Sequence, residues 1–384
     1  MNAKTVLEYQ WPYLLSFLPS AGLLDETALA FGAIRRKRAV EGASSLLRLI
    51  LAYGFCGLSL RQTAAWAEVL GVASLSNVAL LKRFRQAAPW LGHLLAVKLA
   101  ERAAPPPLSH KRPLLLRLID ATSISHPGSN GTDWRVHLSF NLERLAIGDI
   151  DLTDRSGGEK LSRFRFAPGD LVLADRGYSH RRDLYAVHHS GAHLIVRQNW
   201  QNLPLQHLAG EPFDVFSVLR SLPEAEAKSV DARTRPDRRF GLPAIPVRFV
   251  ALRKTEAAAE ASRKKLLADS SRKGHRVDPR ALEAAGYIFV ITNTSAEQLT
   301  AEEVLELYRF RWQIELAFKR MKGMLELGFL PAKDPALART IIRSKLLAAL
   351  LLEEFTQGFL AISPWGYPLG EPSALAVEDP ARDL

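Results

Sequence analysis

Two short apolar runs in this chain end in an aspartate, and a buried run that stops on a carboxylate has few places to go in a fold. The runs are Pro113-Leu-Leu-Leu-Arg-Leu-Ile-Asp120 and Leu171-Val-Leu-Ala-Asp175-Arg-Gly-Tyr178. Each is short and aliphatic with a proline or glycine nearby, the pattern of a buried strand. Open α/β sheets place their sites at the carboxyl ends of strands, so two such acids can converge. Taken singly, each has a structural rival: Asp120 could cap a turn, and Asp175 could pair with Arg176 or Arg181.

The surrounding chain divides by character. Residues 20–103 are rich in Ala and Leu and read as helical, broken mainly by glycine turns. Within them a helix over 59–70, a turn at Gly71-Val-Ala and a second helix over 74–85 ending in Lys82, Arg83 and Arg85 form a helix-turn-helix pattern. Helix hairpins are common, so DNA reading by this element and plain packing both stand. Pro105-Pro106-Pro107 marks a linker. Gly128 to Gly131 form a turn, and strands are expected over 136–142, 145–152 and 193–197. From 198 to 284 the pattern loosens into short β-like pieces such as 247–252. Between Arg253 and Arg280 nine Lys and Arg stand against four acids, either as a charged loop or short helix or as a DNA-contacting surface. A buried strand returns at 287–292, Ser295 or Thr300 caps the next helix, and a last helix is expected over 338–355, followed by a frayed tail.

The charge balance narrows the partner. Fifty-one Lys and Arg against 40 Asp and Glu leave +11, which favours a polyanion, most simply nucleic acid. The best apolar run, 46–60, contains Arg48 and is too short to cross a bilayer. Glu8 and Gln10 come early, without a basic and then apolar leader. The single cysteine, Cys56, excludes an intramolecular disulfide and a multi-cysteine zinc site. A soluble cytoplasmic protein, associated with the nucleoid and not with a membrane, is the expectation.

One further segment carries chemistry. In Tyr308-Arg-Phe-Arg-Trp-Gln-Ile-Glu315-Leu-Ala-Phe-Lys-Arg-Met-Lys322, the side chains of Tyr308, Arg311, Glu315 and Lys322 fall within roughly 60° of one helix face at about 100° per residue. Phe310, Ile314, Phe318, Met321 and Leu325 form an apolar face beside it. A carboxylate held among cations suits a metal ligand next to a phosphate site, and also suits a solvated Glu-Lys face. With Asp120 and Asp175, Glu315 makes a third acid. Hard divalent cations such as Mg²⁺ take oxygen ligands from few carboxylates together with substrate phosphates, and such ions serve phosphodiester chemistry. His126, His137 and His180 lie near the aspartates in sequence, but imidazole suits other metals.

The spacing Tyr308-x2-Arg311-x3-Glu315-x6-Lys322 resembles the Tyr-Arg-Glu-Lys signature of DDE transposases from bacterial insertion sequences, in the group named for insertion sequence four. Ile119-Asp120-Ala-Thr and Ala174-Asp175-Arg-Gly-Tyr178 are similar to that family too, and occur in the right order. The resemblance covers roughly residues 55–355. It implies an α/β fold: a ribonuclease-H-like catalytic core in two parts, 110–197 and 285–330, interrupted by a β-rich insertion over 198–284. An all-helical DNA-binding region, 1–104, precedes the core, and a C-terminal helix and tail, 331–384, follow. By the same resemblance Asp120, Asp175 and Glu315 form a triad that binds Mg²⁺, with Mn²⁺ as the alternative, and activates water to cut at the transposon end. The freed 3′-OH then attacks the opposite strand or target DNA. Tyr308, Arg311 and Lys322 hold the DNA phosphates, Arg bidentately and Lys as a point charge. Trp200 and Trp312 are candidates for stabilising a flipped base. The partners implied are the terminal inverted repeats and target DNA. One clear helix follows Lys322, whereas members of the group can carry a longer C-terminal region for pairing ends; a homodimer on DNA is expected. Two rivals remain: a transposase derivative that binds ends without catalysis, and a ribonuclease-H-like nuclease that cuts without joining. The nuclease leaves the Tyr-Arg-Lys stripe unexplained.

Overall fold

The computed structural model describes residues 3–36, 39–102, 114–126, 128–129, 131–141, 146–224, 226–272, 274, 276–309, 311, 323, 330 and 332–360. They fall into two compact units, residues 1–101 with 330–384 and residues 102–329.

The first unit begins with α1 (Ala3–Tyr9), α2 (Trp11–Ser16), α3 (Ala21–Ala30), α4 (Ala43–Gly54), α5 (Leu60–Val69) and α6 (Asn77–Arg102). The α4 helix is apolar on nearly every face, and Leu46, Leu47, Leu49, Ile50 and Leu51 are buried together, so it is the core helix of this unit. A capping box starts α5: Ser59 Oγ accepts from the Gln62 N–H and Gln62 Oε1 accepts from the Ser59 N–H. The sequence pattern places the end of the next helix at Arg85, but α6 continues to Arg102. Its apolar positions continue at helical spacing through Ala87, Trp90, Leu91, Leu94 and Leu95, all buried, and this burial carries the helix through Pro89.

The second unit is built on one nine-stranded mixed sheet. Its strands are β1 (Leu115–Ile124), β2 (Trp134–Asn141), β3 (Ala146–Asp154), β4 (Asp170–Ala174), β5 (His193–Arg197), β6 (Leu205–Gln206), β7 (Ala227–Thr234), β8 (Pro246–Arg253) and β9 (Tyr287–Thr292). The order is β3-β2-β1-β4-β5-β9-β8-β7-β6. β1, β4 and β5 are parallel; all other neighbours are antiparallel. The β4 and β5 strands are joined by α7 (Arg181–His189), a crossover that parallel pairing requires. Leu118, Ile119, Leu171 to Ala174 and Leu194 to Val196 are fully buried, and each Leu, Ile or Val among them contributes roughly 1.5–3 kcal/mol.

The segment from 198 to 284 does not form a sheet of its own. Its β6, β7 and β8 extend the same sheet through β9, and it also holds α8 (Val215–Arg220), α9 (Glu256–Arg272) and α10 (Pro279–Ala284). After β9, Ser295 and Gln298 cap one turn reciprocally. Thr300 and Glu303 then do the same at the start of α11 (Ala301–Arg309). Of the two alternatives offered by the sequence, Thr300 caps the helix, and Ser295 caps the turn before it.

The last described helix, α12 (Pro335–Leu360), belongs to the first unit. It starts earlier than the apolar pattern suggests because Asp334 Oδ1 accepts the Leu337 N–H at 2.8 Å. The α12 helix lies close on α4: a Cβ at Gly54 would stand 2.1 Å from Ser344 Oγ. Against α6, Thr340 Oγ1 donates to the Phe84 carbonyl at 2.7 Å and Arg343 to the Ala88 carbonyl at 2.6 Å.

Candidate active site

The parallel ladder decides which side chains meet. Ile119 is paired with Ala174, and Ala174 with Val196. The next residue on each strand is Asp120, Asp175 or Arg197. Side chains alternate along a strand, so these three stand in a row on the face opposite Ile119, Ala174 and Val196. The face carrying Ile119, Ala174 and Val196 is part of the buried core. Asp120 does not end its strand, as its apolar run suggests. β1 continues to Ile124 because β2 still pairs it on one side, whereas β4 stops at Ala174 on the other. Asp120 thus lies where the parallel ladder ends, and its carboxylate accepts the Ala121 N–H at 2.8 Å.

The end of α11 supplies the next two groups. Tyr308 Oη donates to Asp175 Oδ1 at 3.4 Å. Burial, then the Asp175 charge, pushes the Tyr308 hydroxyl pKa upward, so the phenol stays protonated and can donate. Of the helix expected over 308–322, only Tyr308, Arg309 and Arg311 lie among the described residues. The α-helical run ends at Arg309, and the Arg311 N–H bonds to the Tyr308 carbonyl at 3.0 Å in a tighter turn. The Arg311 guanidinium nevertheless stands 6.0 Å from the Tyr308 ring and favours the charged form of Asp120. The Arg197 charge is felt at Tyr308 as well.

Among the described residues a third acid reaches the same edge. The Arg135 guanidinium donates to the Gly157 carbonyl at 2.8 Å, and Arg163 to the Gly158 carbonyl at 3.1 Å. These bonds hold the loop that carries Glu159 against the turn after β4. Glu159 Oε2 sits where a Cβ at Gly177 would be, 1.8 Å away, so a glycine there makes room for the carboxylate. Burial pushes the Asp120 carboxyl up to about 6, and repulsion from Glu159 and Asp175 adds to this, against the Ala121 N–H and Arg311. The Tyr178 hydroxyl, between Asp120 and Glu159 electrostatically, is buried with no hydrogen-bond partner among the described residues.

At Asp120 burial and the neighbouring carboxylates outweigh the Arg311 charge, and this edge offers oxygen donors, which fits a hard divalent cation. Among the described residues no three His, Cys, Asp or Glu side chains stand close enough to hold a metal ion. Asp120 and Asp175 supply two carboxylates; the expected third, Glu315, and the expected phosphate ligand Lys322 lie outside the described residues, as does Trp312.

The other candidates take structural roles. His137 is fully buried, with Nε2 3.0 Å from Thr153 Oγ1, and burial lowers its pKa to about 4. His126 pairs with Asp133 at 3.4 Å. Trp200 packs edge-on against Phe216 with centroids 5.0 Å apart. The basic segment is largely α9, whose Arg263, Lys264 and Arg272 pair with Glu256, Glu260 and Asp269. Two site residues escape the motif reading. Arg197 carries the same signal as the aspartates, a polar residue after a buried run, and could have been noticed. Glu159 lies in a Gly-Gly loop and carries none.

Comparison with known proteins gives one consistent picture. The profile of the family described as Transposase DDE domain matches residues 111–351. The chain is 39% identical over 358 residues to InsL of insertion sequence element IS186A from Escherichia coli (strain K12), covering 92% of this chain and 96% of that protein. It is 39% identical over 359 residues to the transposase for insertion sequence element IS421 from Escherichia coli, with the same coverage. It is 24% identical over 344 residues to the transposase for insertion sequence element IS231E from Bacillus thuringiensis subsp. finitimus, covering 79% and 70%.

Proposed function

This chain belongs to the transposase DDE-domain family, and from that premise we propose that Asp120, Asp175 and Glu315 are its catalytic triad. The protein is a DNA transposase, an enzyme that acts on DNA and uses divalent metal ions as this family does. The observation that carries the residue assignment is the register that sets Asp120 beside Asp175, with Tyr308 and Arg311 brought to the same edge.

The strand order β3-β2-β1-β4-β5, with β1, β4 and β5 parallel, supports reading this half of the sheet as a ribonuclease-H-like core. In this reading 110–197 and 285–330 form the core, 198–284 is an insertion, 1–104 is a helical DNA-binding region and 331–384 carries the last helix. The metal is Mg²⁺, held by Asp120, Asp175 and Glu315. When bound it supplies positive charge that makes an attacking oxygen more acidic and stabilises a leaving one.

The protein's own groups do the rest. The Tyr308 hydroxyl orients the Asp175 carboxylate. Arg311 and Arg197 offer planar guanidinium groups to DNA phosphate oxygens beside the two aspartates, and Lys322 adds a point charge. The substrates are the element's terminal inverted repeats and then target DNA, with the protein acting as a dimer.

Cleavage and strand transfer on duplexes bearing the inverted repeats, with Mg²⁺ present, tests this. Asp120→Ala, Asp175→Ala and Glu315→Ala are each expected to reduce cutting to background while end binding persists. Cutting retained by any one of them removes that residue from the triad. Cleavage without joining by the wild-type protein favours a nuclease instead, and binding without cleavage a catalytically silent derivative. Tyr308→Phe loses one hydrogen bond, about 1 kcal/mol, and is expected to slow cutting several-fold.

A further inference from the structure

The most basic window of the sequence is not the one basic surface of the fold. On α9 three cations are paired with acids one or two turns away. Another basic cluster forms where the β7–β8 connection meets the start of α7. There the Arg181 guanidinium donates to the Pro236 carbonyl at 3.1 Å. The Arg182 guanidinium lies 4.3 Å from the centre of the Phe240 ring, and that of Arg239 lies 5.2 Å from it. Arg235 and Arg238 flank the same turn. The turn is closed by reciprocal backbone bonds between Asp237 and Leu242, at 2.9 and 3.0 Å, so its side chains project from a fixed frame.

Three features point to a ligand. Arg182, Arg235, Arg238 and Arg239 are exposed, and among the described residues none of them forms an ion pair. Phe240 is 45% exposed yet stacked by guanidinium groups, an arrangement that keeps the cations apart and oriented. The acids nearest in sequence are already engaged: Asp237 Oδ1 accepts the Arg239 N–H, and the buried Asp183 accepts the Ser162 N–H. Four exposed arginines around the single carboxylate of this turn, Asp237, leave a net positive patch, which matches a polyanion better than a protein surface. The cluster also begins six residues after Asp175 in the chain.

We propose that Arg182, Arg238, Arg239 and Phe240, at the β7–β8 turn and the start of α7, form a contact surface for the phosphate backbone of duplex DNA. This rests on the reading of the protein as a DNA transposase. The contact is independent of base sequence, because guanidinium groups on phosphates position a duplex without reading it. It supplies a hold on DNA outside the cleavage site, on the segment that interrupts the core.

The test is fluorescence anisotropy of a labelled random-sequence duplex titrated with full-length protein across a range of salt. Each lost phosphate contact makes the slope of log K against log salt shallower by about 0.9. Replacing Arg182, Arg238 and Arg239 together by serine is expected to flatten the slope by about 2–3 and to weaken binding about tenfold or more at low salt. Phe240→Ala is expected to weaken binding several-fold without changing charge. The matching triple replacement on α9, Arg263→Ser, Lys264→Ser and Arg272→Ser, is expected to change the slope by less than the first triple. Replacing the three turn arginines by lysine is expected to restore the slope, and decides the matter if the serine variant folds poorly. An unchanged slope in the serine triple, an equal loss from α9, or a lysine triple that stays flat overturns the proposal. So does a serine triple that loses polyglutamate binding but keeps DNA. Failure of the wild-type protein to bind any duplex speaks against the transposase reading itself, which the Asp120→Ala cleavage assay tests separately.

Discussion

Asp120 shows how a carboxylate proposed for the chemistry can be costly to the fold. Its carboxyl is raised to about 6 by burial, against an ordinary value near 4. Below about pH 4 both folded and unfolded chains hold the proton, and the site costs nothing. Between about pH 4 and 6 the folded chain holds a proton that the unfolded chain releases, so this contribution to stability falls as pH rises through the window. Above it the metal-free protein carries a penalty of at most about 3 kcal/mol. Asp120→Asn removes the ionisation. The metal-free variant is therefore expected to match or fall below wild type near pH 4 and to melt higher above pH 6.5, where it should also fail to cut DNA. Thermal melts of both proteins across this range check it, since their difference cancels the other titrating groups. Equal melting curves at high pH would show that Asp120 is not desolvated as the structure has it.

Among the elements, the α4–α12 crossing depends on one missing methyl group. Ser344 Oγ, 2.1 Å from the position of a Gly54 Cβ, is itself held by a buried bond to the Ile341 carbonyl at 2.8 Å. It cannot rotate away freely, and the Ile341 Cα is only 3.6 Å from the same point. Gly54→Ala is expected to destabilise the protein by about 1–3 kcal/mol, and adding Ser344→Gly to recover much of it, a coupling that a double-mutant cycle by chemical denaturation measures. Additive effects would mean the helices do not meet there. Elements also mark where local pattern stops informing. The apolar run before Asp120 is visible in the sequence, but the continuation of β1 to Ile124 comes from a partner, β2, on one side only.

On the scale of the whole molecule, the two ends of the chain share one core. The α12 helix follows the sheet in sequence yet belongs to the unit of α1 to α6 and packs on α4 and α6, leaving Ile341, Ile342, Leu346, Leu347 and Leu350 buried. A chain ending at Asp334 is expected to lose the fixed packing around Trp11, Trp66 and Trp90, which all lie in the first unit. Near-ultraviolet circular dichroism and the cooperativity of melting report this, and an unchanged tryptophan signal would show that α12 is dispensable. The net charge of +11 is a whole-molecule property as well. Its location is not, because ion pairs on α9 engage three of the nine cations in the densest basic window while the β7–β8 turn keeps its charge exposed.

The sequence by itself determined the apolar runs that stop at Asp120 and Asp175, the cap at Thr300, and the motif that joins Tyr308 and Arg311 to those acids. Each is a local matter of period, capping chemistry or spacing within one segment. Only the tertiary structure decided that Asp120, Asp175 and Arg197 stand in a row, that Glu159 reaches Gly177, and that α12 packs with the amino-terminal helices. These follow from hydrogen-bond register and from contacts between segments far apart in the chain. Period and composition describe one segment at a time, so they say which face a side chain takes but not which strand will lie beside it.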